Sequence, residues 1–239
     1  MLEAVEPAAV PIADDATVDV VETETEIGVV ANPAVERTQL DDASWVDVAH
    51  GWLAGADALH DFLVEHTPWG EERLYRYDHW ITSPRLGAFW TRGQPVPHPA
   101  LLEGHRWLQH RYRVQFEGFA LARYRDGNDG QAFHRDRSMR WLDETVIAVL
   151  SLGAQRPWYL RPRVSKHSDA HRKGATHDFA PASGDLLVMG GACQARWEHS
   201  VPQLGDRPIG DRISIQWRWT SKRGRPEVGA NYGAPRHYD

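Results

Sequence analysis

Cysteine is nearly absent. Cys193 is the only one in 239 residues, which excludes an internal disulfide and fits a protein of the reducing cytoplasm. The first residues, MLEAVEPAAV, lack the basic and apolar regions of an export signal. No stretch approaches the ~20 consecutive apolar residues of a membrane span, so a soluble protein without a membrane partner is expected. Aromatics are missing from residues 1–40, as is any sustained period of 2 or 3.6, and residues 1–47 hold one Arg against twelve Asp or Glu. So little apolar surface and so much like charge predict an acidic, disordered tail over 1–47, with a short strand near VDVVETETEIGVV as the alternative. The net charge of −6 conceals this division: residues 1–47 carry −11, and the rest, with 26 basic against 21 acidic residues, carry +5. A basic body permits a polyanionic partner without requiring one.

What is present fits one domain. GADALHDFLVEH, residues 55–66, places Ala58, Leu59, Phe62 and Leu63 on one helical stripe closed by Pro68 and Gly70, a helix suited to covering a sheet. A second helix is predicted over 99–113, where Leu102, His105, Leu108 and Tyr112 recur at helical spacing. Between them lies a segment of alternating residues rich in aromatics and arginines, including Tyr75, Tyr77, Trp80, Arg85, Phe89, Trp90 and Arg92. Such side chains stack bases and hold phosphates, or form the half-buried faces of strands. After Gln115 the texture becomes short strands separated by Gly, Pro and Asp: FEGFALARY, ETVIAVLSLG, THDFAP, DLLVMGG and DRISIQWRWT. Strands without intervening helices predict an antiparallel sandwich or jelly roll, mainly β with flanking helices.

The chemistry is concentrated in RYRDGNDGQAFHRD, residues 123–136. In an extended chain His134 and Asp136 project from one face and can grip one ion. His199, 65 residues on in ARWEHSVP, supplies the second imidazole of a two-His, one-carboxylate set that holds Fe(II) with positions left open. On DRISIQWRWT, Arg212 and Arg218 share the polar face while Ile213, Ile215, Trp217 and Trp219 share the apolar one. A guanidinium suits a carboxylate because its fork makes two parallel bonds, so two arginines beside an iron site point to a dicarboxylate.

In order and spacing, RYRDGNDGQAFHRD, VLSLGAQRPWYLR, GDLLVMGGACQARWEHSVP and RISIQWR resemble the AlkB-like Fe(II)- and 2-oxoglutarate-dependent dioxygenases. The resemblance spans roughly 50–222. It implies a double-stranded β-helix over about 115–220 and a nucleotide-recognition lid over about 70–98, within a domain at 48–222 followed by an irregular extension at 223–239. It implies Fe(II) on His134, Asp136 and His199, and 2-oxoglutarate cradled by Tyr124, Arg212, Ser214 and Arg218. It implies O2 as oxidant and DNA or RNA carrying an N-alkylated base as substrate, received by Arg85, Phe89, Trp90, Ser138 and Arg161. The activity implied is oxidative demethylation, an alkylation-repair reaction that releases formaldehyde. Apart from the resemblance, a monomer is favoured, with no residue pattern that fixes the oligomeric state. Three positions depart from the family pattern. Ala122 stands where an Asn often precedes the tyrosine, Ser214 where an Asn often follows the first arginine, and Ser138 where an acid often follows the metal carboxylate. The basic loop LRPRVSKHSDAHRKGATH is expected to reach phosphates. Two other functions fit the same residues: hydroxylation of a small molecule or protein, and a non-catalytic nucleic-acid-binding module.

Overall fold

The computed structural model describes residues 26–76, 79–91, 93–136, 139–163, 175–224 and 226. In chain order the elements are β1 (Gly28–Val29), β2 (Glu36–Gln39), β3 (Ser44–Ala49), β4 (Leu53–Ala54), α1 (Ala56–His66), β5 (Gly70–Arg76), β6 (His79–Thr91) and α2 (Pro99–Tyr112). There follow β7 (Gly118–Tyr124), β8 (Gln131–His134), β9 (Thr145–Gly153), β10 (Tyr159–Pro162), β11 (His177–Asp178), β12 (Leu186–Gly191), α3 (Cys193–Arg196), β13 (Trp197–Val201) and β14 (Arg212–Thr220). Eight strands form a major antiparallel sheet in the order β2-β3-β12-β9-β14-β7-β6-β5, and four form a minor sheet in the order β11-β10-β13-β8. This is the expected jelly roll.

Side-chain alternation along β14 and β7 gives the major sheet two different faces. Ile213, Ile215 and Trp217 lie with Phe119 and Leu121 against Leu59 and Leu63 of α1 and Leu101 and Leu108 of α2. On the other face Ala122, Tyr124, Ile147, Val149, Leu187 and Met189 meet Leu160, Trp197 and Val201 of the minor sheet. Strand β9 is buried on both faces, which explains its unbroken TVIAVLSL run. Helix α2 is turned slightly from its expected stripe: Leu101, Gly104 and Leu108 face inward and Leu102 is 37% exposed. Gly104 sets that rotation, because a Cβ there would stand 2.8 Å from the Trp52 ring.

The acidic segment is not a tail through residue 47. Strands β2 and β3 extend the major sheet, with β3 paired along its whole length to β12. Acidity misled because two of these acids have specific partners. Asp47 is buried, ion-paired with Arg37 at 2.6 Å, and accepts the Tyr112 hydroxyl at 3.0 Å. Asp41 accepts Trp197 Nε1 at 2.7 Å. Trp45 crosses over Gly190, where a Cβ would collide with its ring. Of the alternative strand, residues 26–30 fall among the described residues, and within them Gly28–Val29 pairs with Leu53–Ala54; residues 1–25 lie outside them. The segment expected as a lid is the β5–β6 hairpin, which joins the major sheet through the pairing of β6 with β7.

Candidate metal and carboxylate site

Antiparallel pairing of β8 with β13 sets His134 directly opposite His199, with ring centroids 4.3 Å apart. Asp136 lies two residues beyond His134, and one ligand atom from each of the three falls within 4.8 Å of the others. The sequence therefore identified three residues that the fold does bring together. His134 Nδ1 sits 2.9 Å from the Ala132 carbonyl, which can only accept. The proton is thereby fixed on Nδ1 and the Nε2 lone pair is left for a metal, the way ligating imidazoles are commonly oriented. His199 stacks on Trp158 at 5.4 Å, and its buried Nδ1 has no partner among the described residues.

Electrostatics keep the set ready for a cation. Burial alone would raise the Asp136 carboxyl, but the Arg218 guanidinium, helped by the two imidazoles, holds it well below the usual carboxylate range. Burial pushes the His199 imidazole down to about 3, with His134 adding to the shift, and burial also lowers His134. Near neutral pH the three groups present two neutral imidazoles and one carboxylate, the donor set that suits non-haem Fe(II).

Arg212 is 0% exposed. Its Nη2 donates to Ser151 Oγ at 2.8 Å, while Nε and Nη1 have no acceptor among the described residues, and burial pushes its pKa down to about 10. Buried donors are nearly always paired, and a buried cation without a counter-charge is costly. The orphaned donors therefore fit a carboxylate ligand. Tyr124 lies directly opposite Arg212, and Ser214, two residues along β14 on the same face, has a buried hydroxyl without a partner among the described residues. Arg218 is placed beside the metal carboxylate: its Nε donates to Asp136 Oδ2 at 2.9 Å, and Nη2 bonds Gln216 Oε1.

The expected substrate residues divide. By alternation Arg85, Gly87 and Phe89 share the face of β6 that continues the one bearing Ala122 and Tyr124. Arg85 is near enough to depress both imidazoles, and Phe89 is 69% exposed. Trp90 points the other way. It stacks on Phe119 at 5.4 Å and lines a cavity of about 780 Å³ under α2. A one-residue step along a strand reverses the face, so adjacent aromatics cannot both serve the site. Arg161 also departs from its expected place. Its neighbour Leu160 pairs with His199, so Arg161 lies on the opposite face, bonded to Glu198 at 2.6 Å with its guanidinium 3.5 Å from the Phe133 ring. Ser138, Arg92, Tyr77, the Tyr75 side chain and residues 164–174 of the basic loop lie outside the described residues.

Two site residues escaped the sequence reading. Arg156, 1% exposed, donates to the carbonyls of Asp126, Asp129 and Pro202, and its guanidinium lies 5.4 Å from the Tyr124 ring. It thereby fastens the DGNDG turn before β8 to the end of β13. Gln194 accepts the Asp136 backbone N–H. A charged residue inside SLGAQRPWYL, between two buried strands, was the available signal for Arg156.

A family model described as the 2OG-Fe(II) oxygenase superfamily matches residues 70–218. Among curated proteins, alpha-ketoglutarate-dependent dioxygenase alkB homolog 3 of Bos taurus is 28% identical over 163 residues, covering 63% of this chain and 57% of that protein. DNA oxidative demethylase ALKBH2 of Arabidopsis thaliana is 30% identical over 195 residues, covering 66% of this chain and 60% of that protein. The chain thus spans under two thirds of the length of these relatives. Among solved structures, a prolyl hydroxylase from Trichoplax adhaerens in complex with a hypoxia inducible factor peptide fragment superposes with a TM-score of 0.52 at 14% identity. That match covers 73% of this chain and 83% of the other, and it shows a shared fold.

Proposed function

The chain belongs to the 2OG-Fe(II) oxygenase superfamily, and from that premise we propose that it is an AlkB-like dioxygenase that oxidatively demethylates N-alkylated bases of DNA or RNA. The observation that carries the reading is Arg212: a fully buried cation with two donors that have no acceptor among the described residues, on the same face of β14 as the arginine that bonds Asp136. His134, Asp136 and His199 would hold Fe(II), and Arg212 with Tyr124 and Ser214 would hold a carboxylate of 2-oxoglutarate. When bound with O2, this pair supplies an oxidant that hydroxylates an N-methyl carbon, with 2-oxoglutarate leaving as succinate and CO2. The hydroxymethylated base then loses formaldehyde as its C–N bond breaks and the ring nitrogen keeps the electron pair.

The chain's own groups supply orientation and a dry setting. Arg218 keeps Asp136 ionised and fixed, the Ala132 carbonyl sets the His134 tautomer, and Trp158 covers the His199 ring. Phe89 offers an exposed aromatic face and Arg85 a cation on the same side of β6, which suits a base swung out of its stack together with its phosphate. The names of the curated relatives, a DNA oxidative demethylase among them, support a nucleic-acid substrate.

The test is a panel of oligonucleotides carrying 1-methyladenine or 3-methylcytosine, as single- and double-stranded DNA and as RNA, with Fe(II), 2-oxoglutarate and O2. The expected result is formaldehyde release with loss of one methyl mass from at least one member. Turnover of 2-oxoglutarate that no oligonucleotide stimulates, and that a small molecule or protein does, would contradict the nucleic-acid reading while keeping the oxygenase.

A further inference from the structure

We propose that Gln194 is a positioning residue for the metal carboxylate, fixing the backbone of Asp136 so that its side chain meets the two imidazoles; the inference rests on the metal-site reading above. Asp136 lies past the end of β8, where the strand ladder no longer supplies an acceptor for its N–H. Gln194 fills that vacancy from the other side of the site. It is 1% exposed, and its Oε1 accepts the Asp136 N–H at 2.9 Å in a bond shielded from solvent. Its main-chain carbonyl accepts Arg135 Nη1 at 3.3 Å. The short α3 turn that carries Gln194 leads directly into β13 and His199, so one side chain ties together the two segments that bring the three ligands.

The turn is itself braced. Cys193 Sγ lies 3.5 Å from the Trp45 carbonyl, and Trp197 Nε1 donates to Asp41 at 2.7 Å. Support therefore runs from β3 through α3 to Asp136. The carboxylate is held at two points, with Arg218 on Oδ2 and Gln194 on the main chain. Oδ1 is left 3.9 Å from His134 Nε2. Groups that orient a ligand from behind are felt in metal affinity even though they never touch the ion.

The experiment titrates Co(II) anaerobically into the full chain and follows its visible absorption, for wild type, Gln194→Glu, Gln194→Met, Gln194→Leu and a distant core variant, Leu108→Ala. Met and Leu remove the acceptor and should weaken Co(II) binding about 10–100-fold with a changed band shape, while Glu, which keeps an acceptor, stays within about threefold. Leu108→Ala should lower the melting temperature without moving the Co(II) affinity. Met or Leu binding Co(II) as wild type does would overturn the proposal, as would losses that simply follow melting temperature in all variants. A second measurement needs no variant: the Asp136 amide should exchange slowly with solvent, and exchange at the rate of an open amide would overturn the proposal even if Met and Leu fail to fold. A wild type that takes up no Co(II) removes the metal reading together with this inference, whereas unaltered binding by the Met variant removes the inference alone.

Discussion

The two ends of the polar face of β14 are built oppositely. At one end Arg218 is already engaged, bonded to Asp136 and Gln216. At the other, Arg212 is more deeply buried, yet two of its donors and the Ser214 hydroxyl on the same face have no partner among the described residues. Repeating one residue type six positions later on the same face gives one guanidinium bonded to a carboxylate and one whose Nε and Nη1 have no acceptor among the described residues. On the proposed reading, one end would hold the metal carboxylate in place and the other would carry an electrostatic cost that an incoming anion relieves.

Replacing Arg212 by Met should break that comparison most visibly. Truncating one member of a buried charge pair costs about 2–5 kcal/mol, so the Kd for 2-oxoglutarate, measured calorimetrically, should rise roughly 30- to 5,000-fold. The same change should leave the melting temperature of the unliganded protein level or higher, since it deletes an uncompensated buried charge. A marked drop would mean that Arg212 is a structural cation.

Arg218→Met should do the reverse. It removes the group that orients Asp136, so affinity for Mn(II) or Co(II) should fall about 10–100-fold while 2-oxoglutarate affinity at saturating metal stays level. Equal effects of the two substitutions on both ligands would dissolve the distinction between the ends.

Phe89→Ala and Trp90→Ala sharpen the contrast between faces. Loss of a base-stacking surface costs about 1–3 kcal/mol, so Phe89→Ala should weaken oligonucleotide binding roughly tenfold with little change in melting. Trp90→Ala should lower melting through its lost stacking on Phe119 and leave oligonucleotide binding alone.

The smallest expected effect concerns the approach to Arg212. His60 of α1 lies 3.2 Å from Asp211, which also accepts Arg123 at 2.7 Å. The Asp211 bond, helped by Asp61, raises the His60 pKa above its ordinary 6.5 against the opposing pull of burial. The stabilisation is complete below pH 6.5 and fades as pH climbs through the raised folded-state value. His60→Gln should therefore cost about 1 kcal/mol in melting experiments at pH 5.5 and less at pH 9.

What the sequence disclosed follows from what local pattern can carry. The i, i+2 spacing of His134 and Asp136 and the alternation of β14 are properties of an extended backbone, so the triad and the arginine face were legible before any fold was known. Pairings across the chain were not. Asp47 reads as one more acid in an acidic stretch until Arg37 and Tyr112 are placed around it, which is why β2 and β3 were hidden. Trp90 and Arg161 went astray for want of parity. Residue type suggested a substrate role, and only the registers of β6 with β7 and of β10 with β13 reveal which face each occupies. Gln194 and Arg156 act on backbone groups far away in sequence, a role that no local motif announces.

The most direct measurement is an anaerobic calorimetric titration of 2-oxoglutarate into wild type, Asp136→Ala and Arg212→Met, each with and without Mn(II). Binding of one 2-oxoglutarate per chain that requires Mn(II) in wild type, and that is lost in both variants, is the predicted result. Binding that ignores Mn(II), or that survives both substitutions, would contradict a site built from a metal at one end and a buried guanidinium at the other.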